Sequence, residues 1–157
     1  MIRAILAHDD YWGIGKDGDL PWPKNSDDLA WFKESTAGGV VVMGRKTWES
    51  LPRKPLPGRE NIVISNSNIQ DADCVMDLSA ALESLPKMNF NKDIWIIGGA
   101  SVLEQLLPIV DELWLNNVDG DYNCDTFLPK MLITRDFEPS HTKIERFGII
   151  THWTRRT

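Results

Sequence analysis

One carboxylate stands out by its neighbours. In Leu20-Pro21-Trp22-Pro23-Lys24-Asn25-Ser26-Asp27-Asp28-Leu29-Ala30-Trp31-Phe32-Lys33, the prolines at 21 and 23 push the residues before them out of helical geometry, so the chain enters extended. Asn25 or Ser26 can then cap a helix whose first turn carries Asp27 and Asp28, the sign of charge that suits the helix dipole. At ~100° per residue, Phe32 lies ~40° from Asp28, Leu29 ~100° and Trp31 ~−60°, while Asp27, Ala30, Lys33 and Glu34 fill the other side. Asp28 therefore sits inside the apolar arc. A carboxylate there must find hydrogen-bond donors or become protonated, because unpaired burial is costly. Two roles fit: a residue bonding backbone amides at the helix start, or an acid at the floor of an apolar pocket. The pocket role suits a flat heterocycle that offers two N–H donors to the two carboxylate oxygens.

Anion chemistry is suggested at Gly44-Arg45-Lys46-Thr47-Trp48-Glu49-Ser50-Leu51, directly after the apolar run Val40–Met43. A strand passing through glycine into a helix leaves backbone N–H groups unpaired at the helix start. Arg45 and Lys46 put positive charge there, the wrong sign for the dipole, and a phosphate group resolves the conflict. A solvated basic turn is the competing reading. Gly98-Gly99-Ala100-Ser101 repeats the arrangement after Asp93–Ile97, ahead of a helix from Val102 to Leu107 that Pro108 halts. It matches neither G-x-G-x-x-G nor a Walker A loop, so a tight glycine turn explains it equally well. From Asp9 to Asp19, three glycines alternate with Trp12 and Ile14. That is either a loop folding over a ligand or a surface loop with one tucked tryptophan.

The elements that must position these residues alternate. Strands are expected over Ile2–His8, Val40–Met43, Asn61–Ser65, Cys74–Met76, Asp93–Ile97 and Glu112–Val118. Helices follow Asn25, Gly44 and Gly99, and a short one runs from Ser79 to Leu85, capped by Ser79 or Asp77. A polar loop is expected over 119–131, and from Leu132 no helix intervenes. Two late strands, 134–144 and 148–155, meet at Glu145-Arg146-Phe147-Gly148 as a hairpin. The pattern predicts a single α/β domain over 1–157: a mainly parallel sheet of about eight strands, an antiparallel C-terminal hairpin at its edge, and helices on both faces. Ligands in such sheets bind beyond the carboxyl ends of the strands, where Asp28 and both glycine turns fall.

Composition narrows the partners. The net charge of −6 and pI near 5.0 argue against nucleic acid or an anionic membrane as the main partner. Cys74 and Cys124 form no CxxC pair and no metal-ligand spacing, so no metal is expected and a reducing, cytoplasmic setting is the simpler inference. No apolar run approaches the ~18–20 residues that span a bilayer, and no signal-peptide pattern opens the chain.

Several motifs, in order, resemble dihydrofolate reductase: LPW followed by DLAWFK, then VMGRKTWESL, LPGR-x-NIVIS, and IWIIGGASVLEQLLP. The similarity runs from Met1 to about Pro129, and the last hairpin agrees in pattern more than in letters. The resemblance implies reduction of 7,8-dihydrofolate to tetrahydrofolate by NADPH, in a monomer that antifolate inhibitors also bind. It implies that Asp28 accepts hydrogen bonds from pterin N3 and the 2-amino group and favours protonation at N5, with Leu20 and Trp22 beside it at the catalytic centre. Leu29 and Phe32 would pack on the pterin and p-aminobenzoyl rings, and Arg59 would pair with the glutamate α-carboxylate. The backbone carbonyls of Ile5 and Ile97 would meet the pterin, and that of Ala7 the nicotinamide carboxamide. Gly44, Arg45, Lys46 and Thr47 match one phosphate turn, and Gly98, Gly99, Ala100 and Ser101 the other. Ser65, Asn66, Val102, Leu103 and Thr126 complete the implied cofactor site. Gly15 to Leu20 match a mobile loop, where Trp12, Ile14 and Leu20 would help exclude water. The Gly98–Gly99 bond is expected to be cis.

Three positions depart from the family pattern. Asn116 stands where threonine is usual, so an amide replaces a hydroxyl beside the acid. Ser101 stands where some members carry an arginine for the 2′-phosphate, which leaves that preference to Arg45, Lys46, Ser65 and Asn66. Leu103 replaces a tyrosine seen in some members. Two other functions stay open at this point. A reductase of the same fold acting on a ribityl-pyrimidine accounts for both phosphate turns but not for Asp28 and Arg59 together. A nucleotide-binding module without catalysis is the other.

Overall fold

The computed structural model describes residues 1–18, 20–88 and 91–157. Asp19, the last residue of the expected glycine loop, lies outside the described residues. The elements in chain order are β1 (Ile2–His8), β2 (Gly13–Gly15), α1 (Ser26–Thr36), β3 (Val40–Gly44), α2 (Arg45–Ser50), β4 (Glu60–Ile64) and β5 (Cys74–Met76). Then come α3 (Leu78–Ser84), β6 (Ile94–Gly98), α4 (Ala100–Leu106), β7 (Glu112–Asn117), β8 (Thr126–Phe127), α5 (Lys130–Asp136), β9 (Phe137–Glu145) and β10 (Gly148–Arg155).

The central sheet has eight strands in the order β5-β4-β3-β6-β1-β7-β10-β9. The first six are parallel, and β10 joins β7 antiparallel with β9 outside it, as the change of pattern after residue 132 predicts. The sheet is covered on both sides. Ile5, Val41, Met43, Val63 and Trp95 point to one face and pack with Trp48 of α2 and with Trp31 and Phe32 of α1. Ala4, Val42, Ile62, Ile96, Leu113 and Leu115 point to the other, against Ala81 of α3, Leu103 and Leu106 of α4, and Ile133 of α5. The parallel strands read as continuous apolar runs because both faces are buried.

Two expectations are corrected. The segment taken as the end of a loop and the start of a strand is α5, so β9 starts at Phe137 rather than 134. Ile133 and Thr134 are β-branched and favour strand by propensity, but Ile133 is wholly buried and its N–H bonds the Pro129 carbonyl at 3.0 Å. Burial overrides propensity. The glycine loop also contributes a strand: β2 pairs antiparallel with β8 in a separate two-stranded ribbon.

The entry to α1 follows the local chemistry. Asn25 is the cap, its Oδ1 accepting from the amides of Asp27 at 2.9 Å and Asp28 at 3.2 Å. Asn25→Ala is expected to cost about 1 kcal/mol of stability, measurable as a shift in the urea midpoint at unchanged slope.

Candidate active site

Neighbouring strands β3 and β6 send their chains in opposite directions, β3 outward through α2 to β4 and β6 back across β1 to β7. Such a reversal opens a crevice at the carboxyl ends of the strands. Both glycine turns stand at its lip. Gly44 is the N-cap of α2 and Gly99 that of α4, and neither helix start has a side-chain cap. The turns touch: a methyl at Gly44 would meet Val102 Cγ2 at 2.8 Å and lie 3.9 Å from the Gly99 nitrogen. A methyl at Gly98 or Gly99 would sit 3.4 or 3.6 Å from Thr47 Oγ1. At Gly44 only glycine allows this approach, whereas the methyls at 98 and 99 would make ordinary contacts. The Gly98–Gly99 bond is cis, and the bulge that pairs Val42 with Ile96 but Met43 with Gly98 leaves Ile97 as the extra residue at the strand end.

Arg45 and Lys46 are exposed on the first turn of α2, with Arg45 Nε bonded to Glu49 Oε1 at 2.9 Å. Ser65 and Asn66 follow β4, whose Ile64 pairs with Gly44, so they stand beside the basic turn. Ser101 is exposed and bonds the Gln105 amide at 2.9 Å. Two uncapped helix starts, two cations and a row of hydroxyl and amide groups suit the phosphates and ribose of a dinucleotide.

Asp28 lies across the crevice. It is half-buried, and its Oδ1 accepts from Asn116 Nδ2 at 3.0 Å. Burial pushes its carboxyl above the ordinary aspartate value, and the Asn116 bond pulls back more weakly. Asn116 is wholly buried on β7, in register with Ala7 of β1. Three strand spacings separate β7 from β3, about 14 Å, so the acid and the basic turn lie within one ligand's reach.

Along α1, residues 28, 32 and 36 form one stripe at four-residue spacing, about 12 Å long. Thr36 Oγ1 accepts from Arg59 Nη1 at 3.1 Å, and the Arg59 guanidinium lies 5.9 Å from the Phe32 ring centre. Arg59 Nε donates to the Pro57 carbonyl at 3.1 Å. The stripe thus runs from a carboxylate, across an aromatic ring, to a guanidinium. Leu29 beside it is 49% exposed, an apolar surface open to a ligand.

The family model described as dihydrofolate reductase matches residues 1–146. The chain belongs to the dihydrofolate reductase family. It is 37% identical over 129 residues to the dihydrofolate reductase of Buchnera aphidicola subsp. Acyrthosiphon pisum, covering 82% of this chain and 79% of that one. With the Bacillus subtilis dihydrofolate reductase it shares 35% over 144 residues, 92% of this chain and 81% of the other. A solved structure of Enterococcus faecalis dihydrofolate reductase, complexed with NADP(H) and RAB-propyl, superposes with a TM-score of 0.85 at 27% identity, covering 100% of this chain and 97% of that one.

Within this dihydrofolate reductase frame, most of the implied residues gather at the crevice and a few do not. Ile5 is the middle residue of β1 and is buried, while Ala7 and Ile97 are each next to last in β1 and β6. Trp22 is buried against Tyr122, ring centres 5.8 Å apart, and Leu20 is 49% exposed. Ile14, Gly15 and Thr126 belong to the β2–β8 ribbon, in which Gly15 pairs with Thr126. Leu103 is the exception. It is wholly buried in the core beneath α4, so it supports the turn and presents no surface to a ligand. Trp12 departs too: it stacks on His8 at 4.9 Å and meets Trp153 edge-on at 5.8 Å, anchoring the loop rather than covering the crevice.

The sequence reading missed Thr36, Gly148 and Asp9. Thr36 is visible in principle as the next step of the 28–32 stripe. A side chain at Gly148, which has φ +152, would collide with Asn116 Oδ1 and the Asn117 carbonyl, so its glycine makes room for the amide that holds Asp28. Asp9 is wholly buried and ties the loop's start to the segment after β7. Its Oδ1 accepts from the amides of Gly13 at 2.8 Å and Tyr11 at 2.9 Å, and its Oδ2 from the Tyr122 amide at 3.1 Å and the Cys124 thiol at 3.4 Å. Burial pushes the Asp9 carboxyl up, but these donors outweigh it and hold it below the ordinary value. The Cys124 thiol is pushed up to about 11, by burial first and then by Asp9, so it stays protonated and unreactive at neutral pH. Asp9→Ala removes the acceptor of four donors, one buried and three part-buried, and is expected to cost about 2 kcal/mol in denaturant unfolding at pH 7. The carboxylate stabilises the fold above its unfolded pKa of about 3.9, and that contribution is lost as pH falls through the lower folded value. The difference between parent and variant should therefore shrink in acid.

Proposed function

We propose that this chain reduces 7,8-dihydrofolate with NADPH across the crevice, with Asp28 anchoring the pterin and favouring the protonation of N5. Membership of the family makes it an NADPH-dependent dihydrofolate reductase; the assignment of roles to its residues is the proposal. The observation that carries it is the stripe on α1. A carboxylate at one end suits two N–H donors of a pterin, Phe32 in the middle suits an aryl ring, and Arg59 at the far end suits a carboxylate. Its length of about 12 Å fits a substrate with those three parts in that order.

Gly44, Arg45, Lys46, Thr47 and the Gly98–Ser101 turn are the residues to hold NADPH, and their uncapped amides fit its phosphates. The cofactor supplies the hydride when bound. What the chain supplies is alignment, exclusion of water and one acid. Asn116 holds Asp28 at a single oxygen, which leaves the other to the pterin. Because burial raises the Asp28 pKa, its protonated fraction near neutral pH exceeds that of an ordinary aspartate, which favours proton supply to the ring. No helix among the described residues is long and apolar enough to cross a membrane, in keeping with small, diffusible substrates.

The test is to mix purified protein with NADPH and dihydrofolate and follow the nicotinamide absorbance. Loss that requires both compounds is expected. Tight NADPH binding without any loss would instead indicate a binding module.

A further inference from the structure

Trp12 is held in a conformation that its side chain disfavours. Its φ of +66 lies in the left-handed region, which a bulky residue enters only where its surroundings hold it there. Four parts of the chain do the holding. His8, the last residue of β1, stacks on the indole with ring centres 4.9 Å apart and planes 16° from parallel. Trp153 of β10 meets the indole edge-on, and Lys130 Nζ, at the start of α5, lies 5.7 Å from its ring centre. The Trp12 carbonyl accepts from the Leu128 amide at 2.9 Å. The chain enters β2 at the next residue, so whatever fixes Trp12 also fixes Gly13, Ile14 and Gly15.

The place of this knot gives it a use. β1 lies between β6 and β7 in the sheet, and β6 ends at Gly98, where one phosphate turn begins. The chain leaving His8 therefore emerges at the carboxyl ends of the strands, where the crevice opens. His8 follows Ala7, the register partner of Asn116, so its side chain lies on the opposite face of the sheet from the Asp28 site. We propose that His8 is a positioning residue for the cofactor: stacked on Trp12 as a neutral imidazole, it holds the β1–β2 turn, and β2 with it, at the mouth of the crevice, and it releases them in acid. The proposal rests on the reading that NADPH lies in that crevice.

The surroundings of His8 favour the neutral ring. The residue is buried, and its Nδ1 lies 2.7 Å from the Asp9 carbonyl, a bond that a neutral imidazole protonated at Nδ1 satisfies. Burial pushes the imidazole below its ordinary value of 6.5, while the Asp9 carbonyl and the charges of Asp9 and Asp10 pull back more weakly. From β7 the register partner of His8 is Asn117, and from β10 the contact on Trp12 is Trp153, both uncharged. Lys130 is the charge that α5 brings. An imidazolium would gain a cation–π contact with the indole, but it would share that ring with Lys130 and give up water. Opening the turn returns His8 to solvent and to its ordinary value, so protonation favours the open turn as pH falls below about 6.5.

Two measurements test this. In the unmodified protein, NMR titration should move the His8 Cε1–H and Trp12 indole N–H signals together, with one midpoint below 6.5. Separate midpoints, or a Trp12 signal that ignores pH, overturn the proposal without any variant having to fold. The second measurement is NADP⁺ binding at pH 7.5 and pH 5.5. His8→Phe keeps a flat ring on Trp12 but cannot titrate, whereas His8→Ala removes the ring. Between the two pH values, binding should weaken about threefold or more further in the parent than in His8→Phe, a comparison that cancels the titration of the cofactor's own phosphate. His8→Ala should bind about threefold or more weakly already at pH 7.5, with His8→Phe restoring most of the loss. A pH dependence shared by parent and His8→Phe, or full affinity in His8→Ala, contradicts the positioning role. If the parent itself leaves NADP⁺ unbound at pH 7.5, the reading of the crevice as the cofactor site fails, and that result is distinct from both of these.

Discussion

Asp28→Asn is expected to lower dihydrofolate turnover about 10²-fold or more at pH 7 without loss of the folded state. The amide can still accept a hydrogen bond from Asn116, but it cannot accept from two pterin donors at once or carry a proton to be passed on. Stability should move the other way. The Asp28 carboxyl is raised by burial, so its ionised form costs stability; the cost is absent below the unfolded pKa of about 3.9 and complete above the folded value. Asparagine removes that cost. The variant should therefore be at least as stable as the parent at pH 7, and the two should converge in acid, as urea midpoints at both pH values will show. Gain of stability with loss of activity is the signature of a site residue held in an unfavourable setting. An unchanged rate would refute the catalytic assignment. A marked loss of stability at pH 7 would assign Asp28 to holding the helix start.

That setting explains how much of the site could be read from the letters. Asp28 was legible because helical periodicity is local: a carboxylate among Leu29, Trp31 and Phe32 is anomalous within a dozen residues. Asn25 as the cap and the two glycine turns were legible for the same reason. The partner that decides the Asp28 chemistry is Asn116, 88 residues further on. That contact exists only because β7 pairs with β1 and α1 packs on the same face, and no local pattern encodes it. Gly148 is further removed still, since its role is to leave space beside Asn116. Trp12 misled because an aromatic in a glycine loop suits a lid, whereas His8 and Trp153 hold it as an anchor. The α5 helix was hidden by β-branched residues whose burial outweighs their propensity. Fold class was legible because alternation of strand and helix is a property of the whole chain, and it tolerates errors at single elements.

Arg59→Ala is expected to weaken dihydrofolate binding by about 2–5 kcal/mol, roughly 30-fold or more, and to leave NADPH binding unchanged. Two of the five guanidinium N–H groups are engaged, by Thr36 and Pro57, and these bonds hold the plane beside Phe32 while leaving a fork for a carboxylate. The group is partly buried, and burial lowers its pKa, so the cation is short of water that an arriving carboxylate can replace. Arg59→Lys separates charge from geometry: it keeps the cation but loses the planar fork and both anchoring bonds, and should recover only part of the loss. Titrations of each ligand against the three proteins check this. Equal weakening of both ligands would mean that Arg59 shapes the fold around α1, because the phosphate turns at Gly44 and Gly98 lie at the far ends of their strands from it. Loss confined to dihydrofolate, with lysine intermediate, would place a carboxylate at the Arg59 end of the stripe and so fix the direction in which substrate lies along α1.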